Sequence, residues 1–275
     1  MRKKEKKLRE SMSEAMTVQL DDEDLKEFSN ADILMGSSSI VGTRSNQQDA
    51  FFMDRSWFPD YTAAVVCDGM GGLENGAVAS AIAVEYISKM LEESVLNTDL
   101  KKSFFKIMNE ANQQILDLEG KAGTTAVFVL IKNGLLHWAS VGDSKIYIFK
   151  NGKLNCLTNE HNYSFMAKKR MHDRSFRFNP KVRKDALVSY LGSTHPAYID
   201  IHPRPLELED DDIVLLCSDG LYKSLREDQI VEQLLKHGDF VEDTAAALTS
   251  EALKNSKGSQ DNTTVVVLKY KNKNM

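Results

Sequence analysis

The sequence predicts an α+β protein in which antiparallel sheets are layered against helices, and three observations carry that. Asn133-Gly134 and Asn151-Gly152 each lie between runs of β-type residues, AVFVLIK and LLHWASV in the first case, KIYIFK and KLNCL in the second. An Asn-Gly pair so placed is the strongest short-range signal for a two-residue hairpin. The strands these turns join are too close in sequence for helical crossovers, which disfavours a parallel dinucleotide-binding sheet. Finally, segments with helical spacing come in pairs between the strand sets, as in sheets covered by helices.

The elements follow in order. Residues 1–32 run from the basic MRKKEKKLRE to the acidic LDDEDLKE with only a weak Leu8, Met12, Met16 spacing, and read as a charged arm, solvated or partly disordered, ahead of a domain over 33–275. Residues 50–54 and 61–67 form a strand pair. Ala77, Ala81, Val84, Ile87 and Leu91 then mark one helix, and Phe104, Ile107, Met108, Ala111, Ile115 and Leu118 a second. The two hairpins, joined through Gly142-Asp143-Ser144, predict a four-strand meander. Residues 159–190 carry Lys168, Lys169, Arg170, Arg174, Arg177, Lys181, Arg183 and Lys184 with little periodicity, a long surface excursion. A buried strand follows at 212–218, then two helices, the second opened by an Asp239/Glu242 capping box, and a closing strand at 263–270.

Composition narrows the function. A chain of 275 residues with 42% hydrophobic content can bury a full core. Its net charge of -5 argues against a nucleic-acid-tracking surface, which needs a basic footprint. No run approaches the roughly 18 apolar residues that span a bilayer, so a soluble cytoplasmic protein without a membrane partner is expected. Three cysteines, Cys67, Cys156 and Cys217, lie far apart in or beside apolar runs and read as small core residues rather than a disulfide framework.

The chemistry concentrates in aspartates. Asp68 ends one apolar strand and Asp219 another, Asp143 sits in a turn, and Asp261 precedes the last strand. One Asp-Gly at a strand end is ordinarily a turn. Four that an antiparallel fold can gather on one edge are another matter, because carboxylates about 4 Å apart repel by about 4 kcal/mol at an effective dielectric of 20. Such a cluster calls for cations, and oxygen-only donors favour Mg²⁺ or Mn²⁺. Gly69, Gly71, Gly72 and Gly76 fit neither a dinucleotide loop nor a P-loop; they let the backbone turn sharply after Asp68.

These residues resemble the metal-dependent protein serine/threonine phosphatases, the PPM or type 2C family, in its compact bacterial form. The matches are Gly42-Thr43-Arg44 with Asp49, VVCDGMGG at 65–72, Gly123-Thr124-Thr125-Ala126, Val141-Gly142-Asp143-Ser144, LLCSDGL at 215–221 and Asp261-Asn262-Thr263-Thr264, all in the family's order. The resemblance implies a four-layer α-β-β-α sandwich and a phosphoprotein phosphatase acting on phosphoserine and phosphothreonine. It further implies two core ions, Mn²⁺ or Mg²⁺, with Asp68 bridging, the Gly69 carbonyl on one, Asp219 and Asp261 on the other, and Asp49 acting through water. Arg44 would clamp the phosphate. In-line attack by a metal-bridging hydroxide would need no covalent intermediate. A third, weaker ion on Asp143 and Asp219 would supply the acid for the leaving group, since Met70 stands where eukaryotic members have histidine. Its partners would be phosphorylated substrates of a serine/threonine kinase, and the protein itself a monomer engaged in signalling.

Departures are as informative. Gln47 and Gln48 replace the family's usual asparagine and acid, and Lys223 stands four residues after Asp219 where many members have Asp or Asn. His161 reads as structural rather than as a metal ligand, there being no H-E-x-x-H pattern. Two rival readings, a phosphoprotein-binding pseudophosphatase and a nucleotide-binding oxidoreductase, are disfavoured by the intact Arg44, Asp68, Asp219 and Asp261 set and by the glycine spacing respectively.

Overall fold

The computed structural model describes residues 31–54, 61–70, 75–94, 99–173, 175, 177, 179–194 and 198–272. Residues 1–30 of the expected arm, with Gly71, Gly72 and Arg174, lie outside them. Two antiparallel sheets face each other. The first orders β1 (Ala31–Ile40), β11 (Thr263–Asn272), β10 (Ile213–Cys217), β6 (Lys145–Lys150) and β7 (Lys153–Cys156). The second orders β2 (Asp49–Asp54), β3 (Tyr61–Asp68), β4 (Ala126–Lys132), β5 (Leu135–Val141) and β8 (Asp200–Ile201), with β9 (Leu206–Glu207) also on β5.

Strand alternation builds the layers. On β3, Ala64 and Val66 face Ile146, Val214 and Val266 of the other sheet, while Ala63, Val65 and Cys67 face the helices α1 (Gly76–Ser94) and α2 (Leu100–Leu116). The opposite sheet turns Leu215, Cys217, Val265 and Val267 toward α5 (Glu227–His237) and α6 (Val241–Asn255). Between them lie α3 (Tyr163–Lys169) and the single turn α4 (Asp219–Tyr222). The expected α+β sandwich of two antiparallel sheets flanked by helices is what forms.

Several expectations need correction. Both hairpins are present, with Asn133 and Asn151 at φ 51° and 52°, but they do not make one meander: β5 belongs to one sheet and β6 to the other. The chain changes sheets at Gly142, whose φ of 100° is open to glycine and whose Cβ would meet Thr125 Cγ2 at 2.6 Å. Turn chemistry is local and reads out correctly; which sheet receives the next strand depends on the facing layer. The stripe of α1 runs through Ala79, Ala83, Val84, Ile87 and Leu91, leaving Ala77 and Ala81 half-buried. Asp239 does not cap α6; it pairs with Lys269 at 2.9 Å, and Phe240 holds the N-cap position without a side-chain bond. Cys156 is exposed, on an edge strand, whereas Cys67 and Cys217 are buried. The basic excursion contains the helix α3, capped by Asn162 Oδ1 accepting from Phe165 N–H at 2.9 Å.

Candidate active site

The aspartates gather where β2, β3, β10 and β11 meet the loops at one edge of the sandwich. Asp49 and Asp68 are direct cross-strand partners on β2 and β3. Asp219 opens α4 immediately after β10, and Asp261 precedes β11. Asp143 lies just past the sheet-switching Gly142. Gly69 continues β3 with its N–H on the Gln48 carbonyl at 3.0 Å, and a Cβ there would meet Gly76 O at 2.4 Å, so the backbone approaches too closely for any other residue.

A frame of small polar side chains fixes these positions. Ser218 Oγ donates to Asp49 Oδ2 at 2.7 Å and accepts from Thr264 N–H at 2.9 Å, tying two strands of one sheet to the other. Thr125 Oγ1 accepts from Asp68 N–H at 3.0 Å, and Thr124 Oγ1 donates to Asp68 O at 2.9 Å. Asn262 takes the Gln48 N–H on Oδ1 and gives its amide hydrogens to Val41 O and Asn46 O. Gln47 accepts from Asp49 N–H at 3.1 Å, so the departure from asparagine keeps a positioning contact. Sequence reading gave Ser218, Thr124, Thr125 and Asn262 no role. Their signal is a polar side chain at the end of a fully apolar strand, which burial tolerates only when hydrogen-bonded.

Electrostatics sets this edge apart. Burial, and then the charges of Asp219 and Asp261, push the Asp49 carboxyl up to about 7 against the bond from Ser218. Asp143 is pushed up to about 6, chiefly by burial and next by Asp219, with Lys223 opposing. Asp68 keeps part of its surface in the cleft, yet surrounding protein atoms and then Asp49, Asp219, Asp143 and Asp261 raise it well above the carboxylate range. Arg44 Nη2 meets Asp261 Oδ2 at 2.6 Å, and Lys223 hydrogen-bonds Asp219 Oδ2 and lies 3.9 Å from Asp143 Oδ2. With Asp219 and Asp261 turned onto these cations, no three acidic, His or Cys side chains converge in metal-holding geometry among the described residues. The donor set nevertheless fits a hard divalent ion: it is all oxygen, and Asp49 Oδ1 is buried with no hydrogen-bond partner.

His161, expected to be structural, lies under the sheet-switching turn, with its Nε2 buried and without a hydrogen-bond partner. It is fully buried, its Nδ1 accepts Gly142 N–H at 3.1 Å, and burial lowers its pKa to about 4, so the ring is neutral with its proton on Nε2.

The raised carboxylates make a stability prediction. Asp49 and Asp143 hold protons more tightly folded than unfolded, so their contribution is fully present below the ordinary carboxylate pKa and is lost as pH rises through about 7 and about 6 respectively; Asp68 is shifted in the same direction. In chelator, Tm should fall between about pH 5 and pH 8, and fall less in Asp49→Asn. An unchanged slope in that variant would contradict the shared charge.

Two facing antiparallel sheets thus carry a set of acidic side chains at one edge, with the Arg44 guanidinium beside Asp261. The chain belongs to the protein phosphatase 2C family, whose model matches residues 36–257. It is 31% identical over 216 residues to the serine/threonine phosphatase stp of Listeria welshimeri, an alignment covering 74% of this chain and 82% of that one. The crystal structure of the Mycobacterium tuberculosis serine/threonine phosphatase PstP/Ppp superimposes with a TM-score of 0.69 at 25% identity, covering 86% of this chain and 98% of the other. A PstP catalytic domain in complex with two manganese ions gives 0.68 at 25% identity, over 88% and 99%. The protein is a serine/threonine phosphatase of a metal-dependent family. Among the described residues no helix is long and apolar enough to cross a membrane.

Proposed function

We propose that the chain dephosphorylates phosphoserine and phosphothreonine on proteins at this edge, with Mn²⁺ or Mg²⁺ held by Asp68, the Gly69 carbonyl, Asp219 and Asp261, and by Asp49 through water. The observation that carries this is Asp49: one oxygen is engaged by Ser218 and the other is buried and unpartnered among further carboxylates. Two divalent ions, when bound, supply a water of lowered pKa and neutralise the phosphoryl oxygens, which permits in-line displacement without a covalent enzyme intermediate.

The chain's own residues supply position and charge. Ser218 holds the Asp49 side chain and Thr125 the Asp68 backbone, which fixes the Asp49 carboxylate and the strand position from which Asp68 projects. Arg44 is more than half exposed, at 57%, and can exchange Asp261 for a substrate phosphate, one anion for another. The proposed domain spans 33–275, monomeric and cytoplasmic, with residues 1–32 as an arm and 159–190 as a flap that meets the substrate's flanking residues. Its substrates are then products of a serine/threonine kinase.

Turnover of p-nitrophenyl phosphate with Mn²⁺ and with chelator tests the reading. Metal-independent turnover would count against it, and phosphopeptide binding without turnover would favour a pseudophosphatase. The same assay tests the flap. Lys169 packs over the Tyr198 and Phe165 rings and Arg170 pairs with Asp173, which leaves Lys168, Lys181 and Lys184 exposed. Neutralising those three should lower kcat/KM for acidic phosphopeptides severalfold and spare p-nitrophenyl phosphate. Equal effects on both substrates would remove the docking role.

A further inference from the structure

Lys223 follows the single turn of α4, which begins at Asp219, so its side chain reaches back one helical turn over the carboxylate it follows by four residues. There the ammonium hydrogen-bonds Asp219 Oδ2, and Asp143 Oδ2 lies 3.9 Å away. Both acidic side chains are largely buried, at 14% and 11% exposure, whereas Lys223 is 53% exposed. An ordinary surface ion pair contributes little. Here one cation answers two carboxylates that burial has removed from solvent, and removing it would leave both uncompensated.

The turn that carries Lys223 is also held in place. Tyr222 donates from its hydroxyl to the Asp143 carbonyl at 2.9 Å, and the ammonium of Lys145 sits 3.7 Å from the centre of the Tyr222 ring. Lys145 is itself engaged by Glu160 at 2.9 Å. The stem of Lys223 is therefore anchored to the same turn whose carboxylate it faces.

Resting on the metal-dependent reading of the neighbouring core, we propose that Lys223 is a tethered cation that takes the place of a third divalent ion between Asp143 and Asp219. The chain then holds two ions, and the acidic pair at its margin is neutralised by a side chain. An acidic residue at 223 would add an oxygen donor to that pair and admit a further ion.

Counting bound Mn²⁺ on the full chain tests this, by calorimetric titration of metal-stripped protein and by electron paramagnetic resonance of the unbound ion. The expected counts are two for the wild type, three for Lys223→Asp with the added site the weakest, and two for Lys223→Arg, which keeps the cation. Three ions on the wild type, or two on Lys223→Asp, would overturn the tethered-cation role while leaving the two-ion core standing. A wild type that binds no Mn²⁺ would overturn the core reading and this proposal with it.

Discussion

Replacing Asp68 by asparagine should abolish turnover while making the metal-free protein more stable. The two effects have one origin. The carboxyl of Asp68 is surrounded by protein and faces Asp49, Asp219, Asp143 and Asp261, so in the absence of metal its charge is a liability. An amide of the same shape removes that repulsion and raises the Tm measured in chelator. It also removes the charge proposed to bridge two cations, and kcat/KM should fall by more than about 100-fold, or about 2.7 kcal/mol at 1.36 kcal/mol per decade. Asp219→Asn should lose activity similarly, with less gain in stability because Lys223 already answers its charge. A variant of Asp68 retaining more than about a tenth of wild-type kcat/KM would contradict the assignment.

Arg44→Ala should lower kcat/KM by about 100-fold with little change in Tm. The pair it makes with Asp261 is exposed on both sides, at 57% and 37%, and such pairs contribute about 0–1 kcal/mol to stability. Its proposed catalytic contribution should be larger, because preorganised donors to developing charge typically account for about 10²–10³ in rate. The partition between kcat and KM identifies when the contact matters: a loss in kcat places it in the transition state, a loss in KM alone in ground-state binding. Arg44→Lys should recover only part, since an ammonium lacks the planar two-point fork. A large fall in Tm with unchanged kinetics would make Arg44 a structural residue.

The legible part of this protein is local. Asn133-Gly134 and Asn151-Gly152 announce their hairpins because only a few residue types accept positive φ, and Phe104 to Ile115 announce α2 because its buried face repeats with the helix. Single-residue caps were less readable: Asp239 has the right type and spacing for a cap, but Lys269 lies within reach and takes it. The helix α3 carries no such signature, because none of its residues is buried and a helix without a buried face needs no apolar period.

By itself, then, the sequence determined the antiparallel hairpins, the helix pairs and which aspartates end strands, since each depends on residues a few positions apart. Tertiary structure alone decided that β5 and β6 part at Gly142 into facing sheets, and that Ser218 holds Asp49 across 169 residues. It also decided that Arg44 meets Asp261 across 217 residues, and that Lys223 serves Asp143 as well as the nearby Asp219. The reason is physical. A turn's dihedral preference belongs to its own residues, but desolvation and Coulomb energy belong to whatever the assembled chain brings alongside, and those neighbours exist only once both sheets have closed on one another.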